Sequence, residues 1–165
     1  MSRSVLVESD PAQAVKGARV VRQRNDHDCM LCVLAMMGGR TYEETLAAAL
    51  SANGGYDAGQ MAMTHALLRR IADSWGMALV SSIYMDWRYP GIVGVLSRTI
   101  ENCGHALYWD GERLIDPGGG EGYDRAYVDA NAMEFTQRAS DIAELVTLDR
   151  HYRAAAGAVV LEEYF

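Results

Sequence analysis

Four residues of this 165-residue chain have the types and order needed for nucleophilic attack on a carbonyl: Gln23, Cys29, His105 and Asp116. A thiol at a helix start faces unpaired N–H groups and the positive end of the helix dipole, which favours thiolate. A neighbouring imidazole completes the ion pair and later protonates a leaving amine. A carboxylate beside that imidazole holds it in one tautomer. Gln23 lies six positions before Cys29. Its amide and the Cys29 backbone N–H form a plausible pair of donors for an oxyanion. Asp26 and Asp28 stand against the thiolate, since nearby carboxylates disfavour a second negative charge. That cost shrinks if Asp28 turns away to cap the helix.

The elements that must position these groups follow from the pattern. Met30, Leu31, Val33, Leu34, Met36 and Met37 predict a helix that is apolar nearly all round, and so a buried one. Asp28 is its expected N-cap and Gly38-Gly39 its stop. Thr41-Tyr-Glu-Glu44 has the capping-box pattern and opens a second helix, ended by Asn53-Gly54-Gly55. A third helix is expected from Asp57-Ala-Gly-Gln60 to Gly76. Beyond it, Met77–Tyr84, Ile92–Leu96, His105–Trp109 and Arg113–Ile115 read as strands. Asp110-Gly111 is a two-residue hairpin signal. Counted outward from it, Trp109 pairs with Glu112, which sets His105 opposite Asp116 on one face. Asn131–Arg138 reads as a helix, and Glu144–Leu148 and Ala158–Leu161 as strands. Residues 1 to about 19 are expected to form a tail or edge strand. The expected architecture is a single α+β domain over residues 1–165, with helices first and a mostly antiparallel sheet after them.

Gln23-Arg-Asn-Asp-His-Asp28-Cys29, followed by a helix and a Gly-Gly stop, resembles the opening of papain-like cysteine peptidases. The most similar subgroup is the bacteriocin-processing, double-glycine-leader type. Pro90-Gly-Ile-Val-Gly-Val-Leu96, Gly104-His105-Ala-Leu-Tyr-Trp-Asp-Gly111 and Leu114-Ile-Asp116-Pro117 resemble that family's strand, His strand and Asp-Pro strand, in order. The resemblance covers roughly residues 20–120. It implies a papain-like fold, Cys29 as nucleophile, His105 as general base, Asp116 as orienting acid and Gln23 as oxyanion donor. It implies hydrolysis of a peptide or protein amide through an acyl-thioester, with no cofactor and no metal. Where the family has Gly after the nucleophile, this chain has Met30, a larger side chain at the cleft. The likeness is to free-standing members, so leader-peptide specificity is not carried over.

Other readings stay open at this level. The same triad can deamidate Gln or transfer an acyl group to an amine, and an inactive scaffold can keep the cleft as a binding site. Cys29-Met-Leu-Cys32 with Cys103-Gly-His105 has the ligand types of a zinc site, although its CxxC runs into an apolar helix rather than a tight turn. His27, His65 and His151 have no visible partner in the sequence. Trp87-Arg-Tyr-Pro90 is expected to be a loop packed on the sheet edge, with a lip of the cleft as the sharper alternative. Residues 118–122 lack the Lys-Ser/Thr of a phosphate cradle and are expected to let the chain turn beside the site. The formal charge of −7, without a basic stripe, removes the electrostatic driver for nucleic-acid binding. No apolar run approaches the roughly 18 residues of a membrane span. The acid in the first residues and the odd count of three cysteines lead to the expectation of a cytoplasmic protein.

Overall fold

The apolar run after Asp28 winds into α1 (Cys29–Gly38), in a computed structural model that describes residues 19–120 and 122–143. Leu31 to Met37 are all buried, as a helix apolar on every side requires. Gly39 ends it in the left-handed conformation, φ 62°, where a Cβ would be strained. Asp28 sits at the N-cap position, but its side chain makes no cap bond. The carboxylate turns back instead and accepts from the Arg24 N–H (3.0 Å) and the Tyr42 hydroxyl (2.7 Å). The expected side-chain cap is therefore corrected: this buried carboxylate ties down the loop before the helix.

Helix α2 (Tyr42–Ala52) opens on the capping box read from Thr41 and Glu44. Helix α3 (His65–Ser74) starts later than expected, at the Thr64 cap, whose hydroxyl accepts from Leu67 N–H at 3.2 Å. The Asp57–Gln60 stretch is a turn. Asp57 bonds the Gly59 N–H with its own side chain (2.9 Å), which draws the backbone away from helix.

The strands are β1 (Leu79–Ser82), β2 (Gly91–Leu96), β3 (Gly104–Trp109) and β4 (Leu114–Ile115), followed by α4 (Arg125–Asn131) and β5 (Ala132–Arg138). They form one sheet in the order β1-β5-β2-β3-β4, every neighbouring pair antiparallel. The α+β class holds. The expected helix over Asn131–Arg138 does not: only Asn131 is helical, and the rest is β5, inserted between β1 and β2. Two ladders and a buried Thr136 and Gln137 outweigh the local helical preference of Ala, Met and Glu.

Alternation along the strands gives the sheet two covered faces. Ile92, Ala106, Tyr108 and Ile115 join the core beneath α1, α2 and α3. Val93, Val95 and Leu107 face the other way, onto Val128 of α4. Trp87 joins this second face, edge-on to Trp109 and Phe135, so the 87–90 loop packs over the sheet rather than at its edge. Among the described residues no helix is long and apolar enough to cross a membrane. The expectations for residues 1–18, Glu144–Leu148, His151 and Ala158–Leu161 fall outside the described residues.

Candidate active site

His105 is the second residue of β3, on the strand face that also carries Leu107. Asp116 follows the last residue of β4. The hairpin between them is one residue displaced from its expected turn. Asp110 N–H donates to the Arg113 carbonyl (3.2 Å), so the two-residue loop is Gly111-Glu112, with φ 98° at Gly111. Asp110 stabilises that loop by accepting from the N–H groups of Glu112 and Arg113, each at 2.8 Å. Trp109 therefore faces Leu114, not Glu112. Continued outward, this register sets Asp116 beside Leu107 rather than His105. Leu107 and His105 share a strand face, so the carboxylate still reaches the ring diagonally.

It does so closely. The His105 Nε2 and Asp116 Oδ1 are 2.6 Å apart, and only 13% and 8% of the two side chains is exposed. Nε2 is thereby engaged, and the remaining ring nitrogen, Nδ1, is the one left for Cys29. Burial of the imidazole works against its charged form, but the Asp116 bond and the influence of the Cys29 thiol outweigh it and raise the His105 pKa to about 9. Asp116 is affected in the opposite sense. Burial opposes its ionised form, yet the bond to His105 and those from Gly118 and Gly120 hold it below the usual carboxylate range.

The glycine-rich segment after Pro117 is thus part of the site. Gly118 N–H donates to Asp116 Oδ1 and Gly120 N–H to Oδ2, both at 2.8 Å. Among the described residues, two backbone donors and one imidazole hold the carboxylate. Arg22 Nη1 adds a bond to the Asp116 carbonyl at 2.8 Å. The sequence signal for this was the run of glycines directly after the acid. Tyr123 carried no such signal, yet its ring lies on His105 with centroids 5.1 Å apart.

Cys29 begins α1, and Asp28 leaves the first-turn N–H groups of that helix without a side-chain cap. The Cys29 N–H therefore remains a donor at the thiol. Gln23 is anchored to the Asp116 loop: its N–H donates to the Pro117 carbonyl (2.9 Å). Its side-chain Nε2 donates to the Asn25 carbonyl at 3.0 Å. A primary amide has two N–H groups, so one is left over. Asp116 is bonded to His105, the Cys29 thiol contributes to the raised pKa of that imidazole, and Gln23 is set against the loop that carries the acid.

The other thiols do not converge on this point. Cys32 is fully buried in α1 and its pKa is pushed up by burial, whereas Cys103 is exposed. Among the described residues no group of three or more His, Cys, Asp or Glu side chains is arranged to hold a metal ion. No family model, curated protein or solved structure matches the chain.

Proposed function

We propose that the chain is a cysteine peptidase of papain-like architecture, similar to the free-standing members of the double-glycine-leader group, that hydrolyses an amide bond in a peptide or protein. The observation that carries this reading is the buried Asp116–His105 bond at 2.6 Å, which takes Nε2 of the imidazole, with Cys29 close enough to contribute to the raised His105 pKa. In this reading Cys29 takes the other ring nitrogen, Nδ1, so that the imidazole can move a proton to and from sulfur.

The chemistry then runs in two halves. Cys29 Sγ attacks the amide carbonyl carbon, and the carbonyl oxygen takes up the negative charge. The Cys29 N–H and the spare Gln23 N–H supply donors for that oxygen. The imidazolium of His105 gives its proton to the leaving nitrogen, the C–N bond breaks and an acyl-thioester remains. Neutral His105 then takes a proton from water, whose oxygen displaces sulfur and releases the acid. Asp116 stays ionised throughout, orienting the ring and stabilising its cationic form.

The test is the rate of Cys29 alkylation by iodoacetamide against pH. An unperturbed thiol gains reactivity near pH ~8.5. The reading expects Cys29 to react well below that, to lose this reactivity in His105→Ala, and to do so while buried Cys32 stays protected. An ordinary thiol profile that is indifferent to His105 would sink it. A peptide-library screen for cleavage follows only from the first result.

A further inference from the structure

Tyr123, three positions after Gly120, lies beside the site. The phenol ring lies on the imidazole of His105 at 5.1 Å between centroids and 34° between planes. His105 therefore has Asp116 bonded at Nε2, the Cys29 thiol near enough to raise its pKa, and the Tyr123 ring across its face. The phenol is itself held at its far end. Its oxygen accepts the Arg98 N–H at 2.8 Å, just past the end of β2. Tyr127, the next residue but three, packs edge-on against Tyr123 with centroids 5.3 Å apart. The Tyr127 hydroxyl donates to the Leu96 carbonyl at 2.7 Å, the last residue of β2. Two tyrosines thus fasten the start of α4 to the end of the strand that pairs with β3. Val95 of that strand is the register partner of His105. Gly122, just before Tyr123, has φ 92°, a backbone conformation that L side chains rarely adopt.

We propose that Tyr123 is a positioning residue for the reaction assigned above: it fixes the His105 ring between Cys29 and Asp116 and covers its face. The proposal rests on the triad reading. An imidazole bonded through one nitrogen can still pivot about that bond. A ring laid against its face removes the pivot and excludes water that would compete for the Asp116 bond. The electron-rich face also favours the charged imidazole, the form that donates to the leaving amine. These effects need the ring and its place. The hydroxyl serves only to anchor it.

The experiment compares Cys29 alkylation at pH 6 and across pH in wild type, Tyr123→Leu, Tyr123→Phe and His105→Ala, with circular dichroism to verify folding. Leucine fills much of the space without a π face, so the variant is expected to fold. Tyr123→Leu is expected to lower the pH 6 rate about tenfold and shift the profile toward an ordinary thiol, as aromatic contacts of this kind are worth. Tyr123→Phe keeps the ring and is expected to stay within about threefold of wild type. A merely structural tyrosine would lower the melting temperature and leave the pH profile alone. That outcome, or equal losses in the Phe and Leu variants, overturns the proposal. If the wild type already reacts as an ordinary thiol, it is the triad reading that has failed instead. Should Tyr123→Leu not fold, Tyr123→His supplies the comparison, a smaller ring that keeps a π face: full wild-type rate supports the stack, and a loss as large as that of His105→Ala opposes it.

Discussion

Asp116 is the residue whose surroundings decide whether His105 can act. Its two oxygens take one imidazole bond and two backbone bonds, and those backbone donors exist because Gly118 and Gly120 bring the chain within reach. A Cβ on Gly120 would stand 2.8 Å from Asp116 Oδ2, the same oxygen that its own N–H holds. Gly120→Ala must therefore push the loop off the carboxylate and lose that donor. The Asp116 pKa, held below the usual carboxylate range in part by that donor, is expected to rise, read by titrating its carboxyl carbon. Cys29 alkylation at neutral pH should fall about tenfold, the order of one charge-assisted hydrogen bond. Gly54→Ala, where an added Cβ meets nothing within 4 Å, serves as the control and should change neither. Equal behaviour of the two variants would remove the loop from the site. The four candidate residues were legible because each carries a chemical type that stands out in its local context. The loop's place beside the site was legible in its glycines, but its two bonds to Asp116 were not, because a backbone N–H leaves no letter in a sequence.

Elements were legible where local chemistry decided them. The capping box at Thr41, the Gly39 stop and the strand that begins beside His105 are written in a few adjacent residues. β5 was hidden because long-range pairing decides it, through ladders to β1 and β2 that are distant in sequence. The hairpin register was missed by one turn residue because Asp110 uses its side chain to rebuild the turn around Gly111-Glu112. Gln137 shows what β5 contributes once it is in place. Its buried amide accepts from Asp86 N–H at 2.9 Å, and donates to the carbonyls of Asp86 at 2.9 Å and Tyr89 at 3.2 Å. It substitutes for a strand along the loop that carries Trp87. Gln137→Leu keeps the volume but leaves those backbone groups unpaired in the interior. A loss of about 1–3 kcal/mol is expected, visible as a lower melting temperature and denaturant midpoint with an unchanged m-value. No loss in either would mean that the loop finds other partners.

At the scale of the whole molecule, the site is also a clasp between layers. Cys29 starts the helical layer, His105 belongs to the sheet, and Asp116 opens the loop that leads across to α4. The electrostatics that would serve catalysis must therefore contribute to folding stability, with a sign fixed by the two pKa shifts. Asp116 has its folded pKa below the model-compound 3.8, so its share is present above that value and is lost as the pH falls through the depressed one. His105 has its folded pKa above 6.5, about 9 with Cys29 in place, so its share is complete below 6.5 and is lost as the pH rises through the raised value. The pair is thus whole from roughly pH 4 to 6.5 and weakens on either side. Unfolding free energies of the wild type measured from pH 4 to 10 should decline above 6.5, relative to a His105→Gln variant carried through the same series. That difference cancels the titration of groups away from the site, including the acidic residues that give the chain its charge of −7. A flat difference across the alkaline limb would show that the site does not favour the imidazolium, and the proposed proton relay would lose its anchor.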